Sequence, residues 1–185
     1  MTITIDKLMA DLIKVEGGYV NNKNDAGGET NWGVTKQTAF SNGYTGQMRD
    51  MTKAQALEIY RKEYFFNPGF GLVFDVLPSV AAELFDTGVN MGTGVAAKFL
   101  QRSLNALNNM GTFYPDIAVD GKIGPATISA LRQLVARRGD DATETMLLKI
   151  LNCLQGARYI ELAEAREKNE TFVWGWFSNR VGMPL

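Results

Sequence analysis

Along most of this chain apolar residues recur every three or four positions, the spacing of one helix face. Ile5, Leu8, Leu12 and Val15 predict a first helix, which Gly17-Gly18 stops. Residues 18–34 abandon that spacing; their glycines, asparagines and aspartate predict a polar loop with at most a short hairpin. Thr52-Lys53-Ala54-Gln55 reads as a capping box opening a helix over 53–66 that ends at Asn67-Pro68-Gly69. Pro78-Ser79 starts another helix, with Val80, Leu84 and Phe85 on one face. Thr93 is the expected cap of a helix carrying Val95, Phe99, Leu104 and Leu107, which loosens into Asn108-Asn109-Met110-Gly111. Gly124-Pro125 opens the next, with Ile128, Leu131 and Val135 apolar and Gly139 as its stop. From Asp140 or Asp141 a long helix is expected to run to about Lys168. No repeat, low-complexity run or linker interrupts the pattern. The fold class is mainly α, with at most a small β-hairpin near residues 18–35.

Composition narrows the chemistry more than the fold. With 185 residues, 45% hydrophobic and 21% charged, the chain fits one soluble domain. At this length folding buries roughly 70% of the unfolded surface, so no metal or disulfide staple is required. The decisive count is histidine, which is zero. That excludes Ser-His-Asp and Cys-His nucleophilic sites and HExxH zinc sites together. The lone cysteine, Cys153, cannot form an internal disulfide or a thiolate cage for zinc. No cofactor or metal is expected, and chemistry falls to carboxylates, hydroxyls, lysine or backbone.

Charge is nearly balanced, with 19 basic and 20 acidic residues, so there is no footprint for nucleic acid. No run approaches the roughly 20 apolar residues that span a bilayer, and stable membrane insertion is not expected. Met1 to Asp6 has neither the basic start nor the apolar stretch of a signal peptide, so synthesis in the cytoplasm is expected.

Candidate chemistry begins at Val15-Glu16-Gly17-Gly18-Tyr19. A carboxylate at the last turn of an apolar helix faces the partial negative charge of the helix C-terminus. That and any desolvation raise its pKa, as a general acid near neutral pH requires. Taken alone, Glu16 reads better as a surface glutamate before a glycine stop. The following loop shifts the balance. It brings Asp25-Ala26-Gly27-Gly28 and then Thr30-Asn31-Trp32-Gly33-Val34-Thr35. Glycines let a loop approach a bulky ligand, Trp32 offers a flat face to a sugar, and hydroxyls and amides can hold a water. Glycosidases commonly need two carboxyls, one to donate a proton and one to ionise. Asp25 as a turn residue and Trp32 as a core aromatic are each respectable alternatives. All of these features together in one short segment make the plain readings less economical.

The segment from Glu16-Gly17-Gly18-Tyr19 through Asp25-Ala26-Gly27-Gly28 to Thr30-Asn31-Trp32-Gly33-Val34-Thr35 closely resembles glycoside hydrolase family 108. Phe85-Asp86-Thr87-Gly88-Val89-Asn90-Met91-Gly92, Phe99-Leu100-Gln101-Arg102-Ser103-Leu104-Asn105 and Asp120-Gly121-Lys122-Ile123-Gly124-Pro125-Ala126-Thr127 resemble its second half, often described as peptidoglycan-binding. Trp174-Gly175-Trp176-Phe177-Ser178-Asn179-Arg180-Val181 is similar to its closing GW-x-NR segment. The resemblance implies one lysozyme-like helical domain over 1–185, with a catalytic lobe over 1–92 and a helical lobe over 93–185. It places the cleft between the 18–35 loop and the helices of the second half.

It also carries the family's catalytic acid over to Glu16. The wider phage-type lysozymes use Glu-x8-Asp-x5-Thr, and this chain supplies Glu16-x8-Asp25 but has Asn31 at the threonine position. Thr30 falls one residue early and Thr35 four late, and Ala26 replaces the proline usual after the aspartate. The expected catalytic set is therefore Glu16, Asp25 and Thr35. Tyr19, Thr30, Asn31, Trp32, Asp86, Asn90 and Gln101 are the expected substrate contacts. For several of these a structural role competes. Asp86 and Asn90, four apart on one helix face, can line a cleft or bond each other and a loop, and Gln101 can do the same. Trp174 and Trp176 read as packing the last segment onto the domain, and Arg137-Arg138 as solvated helix surface.

The implied function is an endolysin-type muramidase that hydrolyses the β-1,4 bond between N-acetylmuramic acid and N-acetylglucosamine in bacterial peptidoglycan glycan strands. It would act as a monomer on the wall, after release by a separate membrane-permeabilising protein. Two alternatives stand beside it: a lytic transglycosylase using Glu16 alone, and a non-catalytic wall-binding or virion structural protein.

Overall fold

The computed structural model describes residues 3–15, 18–21 and 28–182. The chain divides into two compact units, Met1–Asn67 and Pro68–Leu185.

The first unit opens with α1 (Ile5–Val15). Thr4 caps it, its Oγ1 accepting from the Lys7 N–H at 3.2 Å. The loop region then holds more order than a hairpin. β1 (Val20–Asn21), β2 (Glu29–Asn31) and β3 (Val34–Thr35) form an antiparallel sheet in sequence order. Val20 pairs with Thr30, and Thr30 in turn with Thr35. The β2–β3 connection is only Trp32-Gly33, with φ of 51° and 74°. Positive φ at both positions makes a type I′ hairpin turn, which matches strand twist but is strained for a bulky tryptophan.

α2 (Lys36–Ser41), absent from the apolar pattern, follows directly. The capping box forms as expected, with both Thr52–Gln55 bonds present at the start of α3 (Lys53–Tyr60). The helix expected over 53–66 changes character after Tyr60, widening into a π-helical turn over Arg61–Phe66. Asn67 N–H reaches back five residues to the Lys62 carbonyl at 2.9 Å. Proline at 68 lacks the N–H that would continue the ladder. Arg61 also pairs with Asp6, tying this turn to α1. Met9, Ala39, Met48, Ala56 and Phe65 form the buried centre of the unit.

The second unit is built from long helices. α4 (Phe70–Phe74) leads into α5 (Pro78–Met91), whose Val80, Ala81, Leu84 and Phe85 are all buried. α5 can be so enclosed because Gly88 carries no side chain: a Cβ there would sit 3.0 Å from the Phe70 ring. α6 (Thr93–Leu107), α7 (Pro125–Arg138) and α8 (Asp140–Ala165) follow at the expected starts. Two details differ. Thr93 is the first helical residue rather than the cap; Gly92, with φ of 94°, holds the cap position. The last long helix ends at Ala165, and α9 (Glu170–Arg180) follows a 3₁₀ turn over Glu167–Asn169.

On α9 the two tryptophans separate. Trp176 stacks on Tyr159 of α8 at 4.8 Å and so packs the segment down. Trp174, two residues away, is 85% exposed, which corrects the expectation that both would pack. Residues two apart on a helix point to nearly opposite sides. Arg137 and Arg138 are exposed as expected, but both lie over the Phe113 ring, at 5.8 and 5.1 Å. Among the described residues, no helix is long and apolar enough to cross a membrane.

Candidate active site

Glu16 and Asp25, the two carboxylates singled out by sequence, lie outside the described residues. What surrounds them in sequence is defined. α1 ends at Val15, immediately before Glu16, and Tyr19 and the sheet follow.

Strand alternation sorts the other first-half candidates. Thr30 and Thr35 are directly paired across β2–β3 and therefore share one face of the sheet. Asn31, paired with Val34, is on the opposite face and is only 3% exposed. Its Nδ2 donates to the Met48 carbonyl at 2.6 Å, so it holds the 48–51 turn against the sheet. Trp32 is half-buried, and its Nε1 donates to the Met51 carbonyl at 2.9 Å. These two anchors hold the strained turn in place, a role for which the sequence offered only a sugar platform or a core aromatic. Thr35 has a similar duty. Its Oγ1 accepts from the Thr38 N–H at 3.1 Å and lies 2.9 Å from the Thr38 hydroxyl, capping α2.

Glu29, beside Asn31's face, carries a signal that the pattern of polar residues did not isolate. Lys36 Nζ donates to one of its oxygens at 3.0 Å and the Tyr19 hydroxyl to the other at 2.9 Å. The lysine first, then the tyrosine, hold its carboxyl below the usual range. Arg49 lies over the Tyr19 ring at 5.7 Å. Glu29, Lys36, Phe40 and Arg49 border a groove of about 310 Å³. Tyr19 is thus brought to a charged edge rather than left as an isolated aromatic.

In the second unit the three candidates do not gather into one open site. Gln101 is only 1% exposed. Its Nε2 donates to Asp120 Oδ1 at 2.8 Å and to the Lys122 carbonyl at 3.0 Å, while its Oε1 accepts from Gly121 N–H at 2.9 Å. It is the hub that shapes the 120–122 turn, and its bond to Asp120 draws that carboxyl's pKa down. Asn90 is exposed and donates to the Asp86 carbonyl at 2.7 Å. The Asp86 carboxylate instead meets Arg180 of α9 at 2.8 Å. Burial raises the Asp86 pKa and the Arg180 charge offsets only part of that.

Next to Asp86 is a carboxyl that sequence reasoning missed. Burial, with a smaller contribution from the Asp86 charge, pushes Glu83 up to about 7. Its Oε1, the Gln155 Oε1 and the Tyr159 hydroxyl are buried with no hydrogen-bond partner among the described residues. The Tyr159 hydroxyl is itself raised to about 12 by burial. Glu83 sits between Ala82 and Leu84 in an apolar stretch, so the only available signal was a charge on a buried helix. Among the described residues no cluster of three or more acidic or cysteine side chains could hold a metal.

Residues 9–92 match the profile of the family described as glycosyl hydrolase 108, and residues 95–181 match a predicted peptidoglycan domain. The compact units divide earlier, after Asn67, so the glycosidase segment also includes α4 and α5 of the second unit. The solved structure of SagA from Brucella abortus is similar over 96% of this chain and 88% of that one, with 26% identity and a TM-score of 0.66. No curated relative matches by sequence.

Proposed function

This chain belongs to the glycosyl hydrolase 108 family, is a peptidoglycan-hydrolysing enzyme, and from that premise we propose an endolysin-type muramidase. It hydrolyses the β-1,4 bond between N-acetylmuramic acid and N-acetylglucosamine. The observation that supports this reading most is the family match over residues 9–92, which contains Glu16 directly after the last residue of α1. A carboxyl at a helix C-terminus keeps its proton to higher pH, and a protonated carboxyl is what the leaving glycosidic oxygen needs. Glu16 is the general acid in this scheme. Asp25, ionised, activates a water on the opposite face of the sugar, and the expected stereochemical course is inversion. Residues 1–92 form the catalytic lobe and residues 93–185 hold the glycan strand. The enzyme reaches the wall after a separate protein permeabilises the membrane.

Mass spectrometry of purified peptidoglycan after digestion, with a borohydride-reduced sample alongside, tests the reading. Hydrolysis at muramic acid gives reducible muramic ends. A 1,6-anhydro product, lighter by one water and resistant to borohydride, would replace the muramidase with a lytic transglycosylase. Binding to sacculi without any release of fragments would leave a wall-binding protein.

A further inference from the structure

Resting on the reading of this chain as a peptidoglycan hydrolase, we propose that Arg49 binds a free carboxylate of the substrate's peptide branch, while Lys36 beside it stays paired with Glu29. The groove in the first unit sets two cations against one carboxylate, and that carboxylate is already engaged. Both Glu29 oxygens have partners, Lys36 at 3.0 Å and the Tyr19 hydroxyl at 2.9 Å. Arg49 has no carboxylate within ion-pair distance among the described residues. Its guanidinium is exposed but not unsupported, because it lies over the Tyr19 ring. A cation–π contact of this kind holds the guanidinium near the ring face, and its N–H groups can still donate in the fork that fits a carboxylate.

The position of the groove argues for the branch of the substrate rather than its backbone. Glu29 alternates with Thr30, so the groove is on the sheet face opposite Thr30 and Thr35. On this proposal the glycan strand lies along the threonine face and its peptide branch extends from there to the groove. Charge agrees: the sugar rings of the strand are neutral, whereas its peptides carry free carboxylates and small aliphatic side chains. Phe40, 49% exposed at the edge of the same groove, offers an apolar surface for the latter.

The test uses purified sacculi, untreated or with their free carboxylates converted to amides by carbodiimide and methylamine. Release of reducing ends is followed against substrate concentration for the wild-type protein, Arg49→Gln and Arg49→Lys. The wild-type protein should lose about tenfold in kcat/KM on the amidated sacculi, mainly through KM, the scale of one charged hydrogen-bond pair. Arg49→Gln should show a similar loss on untreated sacculi and no further loss on amidation. Arg49→Lys, which keeps the charge without the fork, should fall between them. Wild-type turnover indifferent to amidation would overturn the inference while leaving the hydrolase reading intact, as would an Arg49→Gln protein still sensitive to it. No release of reducing ends from untreated sacculi by the wild-type protein would sink the reading itself and this inference with it.

Discussion

The two units solve opposite problems with the same chain. In the first, strands of two or three residues are joined by a strained two-residue turn, and its charged pairs are exposed. In the second, α5 to α9 run 11 to 26 residues each, and polar side chains such as Gln101 are buried among protein partners. Short elements on a polar surface cannot derive much stability from apolar burial, but they can bring unlike groups close together. Long packed helices do the reverse. On the proposed reading the chemistry belongs to the first unit and rigidity to the second, and substitutions should separate the two.

The largest effect belongs to Glu16. Glu16→Gln keeps size and hydrogen bonding but removes the proton, so lysis of permeabilised cells should fall by roughly 10²–10⁴-fold. Its melting curve should stay that of the parent. Near wild-type lysis by this variant would place the acid elsewhere. The mirror-image experiment is Gln101→Leu, which leaves the Gly121 N–H and the Lys122 carbonyl without their buried partner. Stability in urea should drop by about 2–4 kcal/mol. Hydrogen exchange of the strand amides at 29–35 should be unchanged while that of the 120–128 region accelerates. Equal acceleration in both units would show that they do not divide the labour in this way.

How much of this was readable beforehand follows the same division. Helices announced by a local signal were legible: the proline rings of Pro78 and Pro125 start α5 and α7, and hydrogen bonds between Thr52 and Gln55 cap α3. The second unit's core followed from periodicity because its helices are long enough to repeat a face. In the first unit periodicity has little to act on. α2 has six residues, and the Trp32-Gly33 turn places a bulky residue where Asn or Asp is the usual sign. The site was legible as a segment but not as partners. Nothing in the residue types said that Asn31 would hold the Met48 carbonyl, that Thr35 would cap α2, or that Glu83 would be enclosed near Asp86, Tyr159 and Arg180. Those facts arise from which helix or strand lies opposite, information that a single sequence does not carry.

Glu83 should give the second unit a stability that falls as pH rises, opposite in sign to that expected from Glu29 in the first. Its carboxyl is raised from about 4.5 to about 7, chiefly by burial, so folding favours the neutral acid. That stability is fully present below the unfolded value and is lost as pH rises through the folded one. Asp86 adds to the rise, while Arg180 is paired with Asp86 and Tyr159 stays neutral at these pH values. Glu83→Gln should therefore flatten the decline in the free energy of unfolding, measured in urea, between about pH 5 and pH 8, by an amount on the order of 1–3 kcal/mol at the upper end. An unaltered slope in the variant would mean that another group titrates there.

The smallest predicted effect decides what Thr35 does. Its Oγ1 accepts from the Thr38 N–H and lies beside the Thr38 hydroxyl, so the Thr35 hydroxyl already serves as the N-cap of α2. A side chain held in that geometry has limited freedom to turn towards a reacting water. Thr35→Val keeps the shape and deletes the cap, which should cost about 1 kcal/mol, within the range for lost N-caps. Thr35→Ser restores an oxygen in the same place and should recover most of that loss. If capping is the whole role, the activity of Thr35→Val returns on cooling to a temperature where α2 is intact. A fall in kcat of tenfold or more at that temperature, with KM unchanged, would instead show the hydroxyl acting on the water. Thr30 offers an internal control, because it is paired with Thr35 on the same sheet face. Thr30→Val removes a hydroxyl from that face without touching the cap. If both variants lost kcat alike, the shared face would be the cause. If only Thr35→Val lost stability and neither lost kcat at low temperature, the hydroxyls of this pair serve the fold and not the reaction.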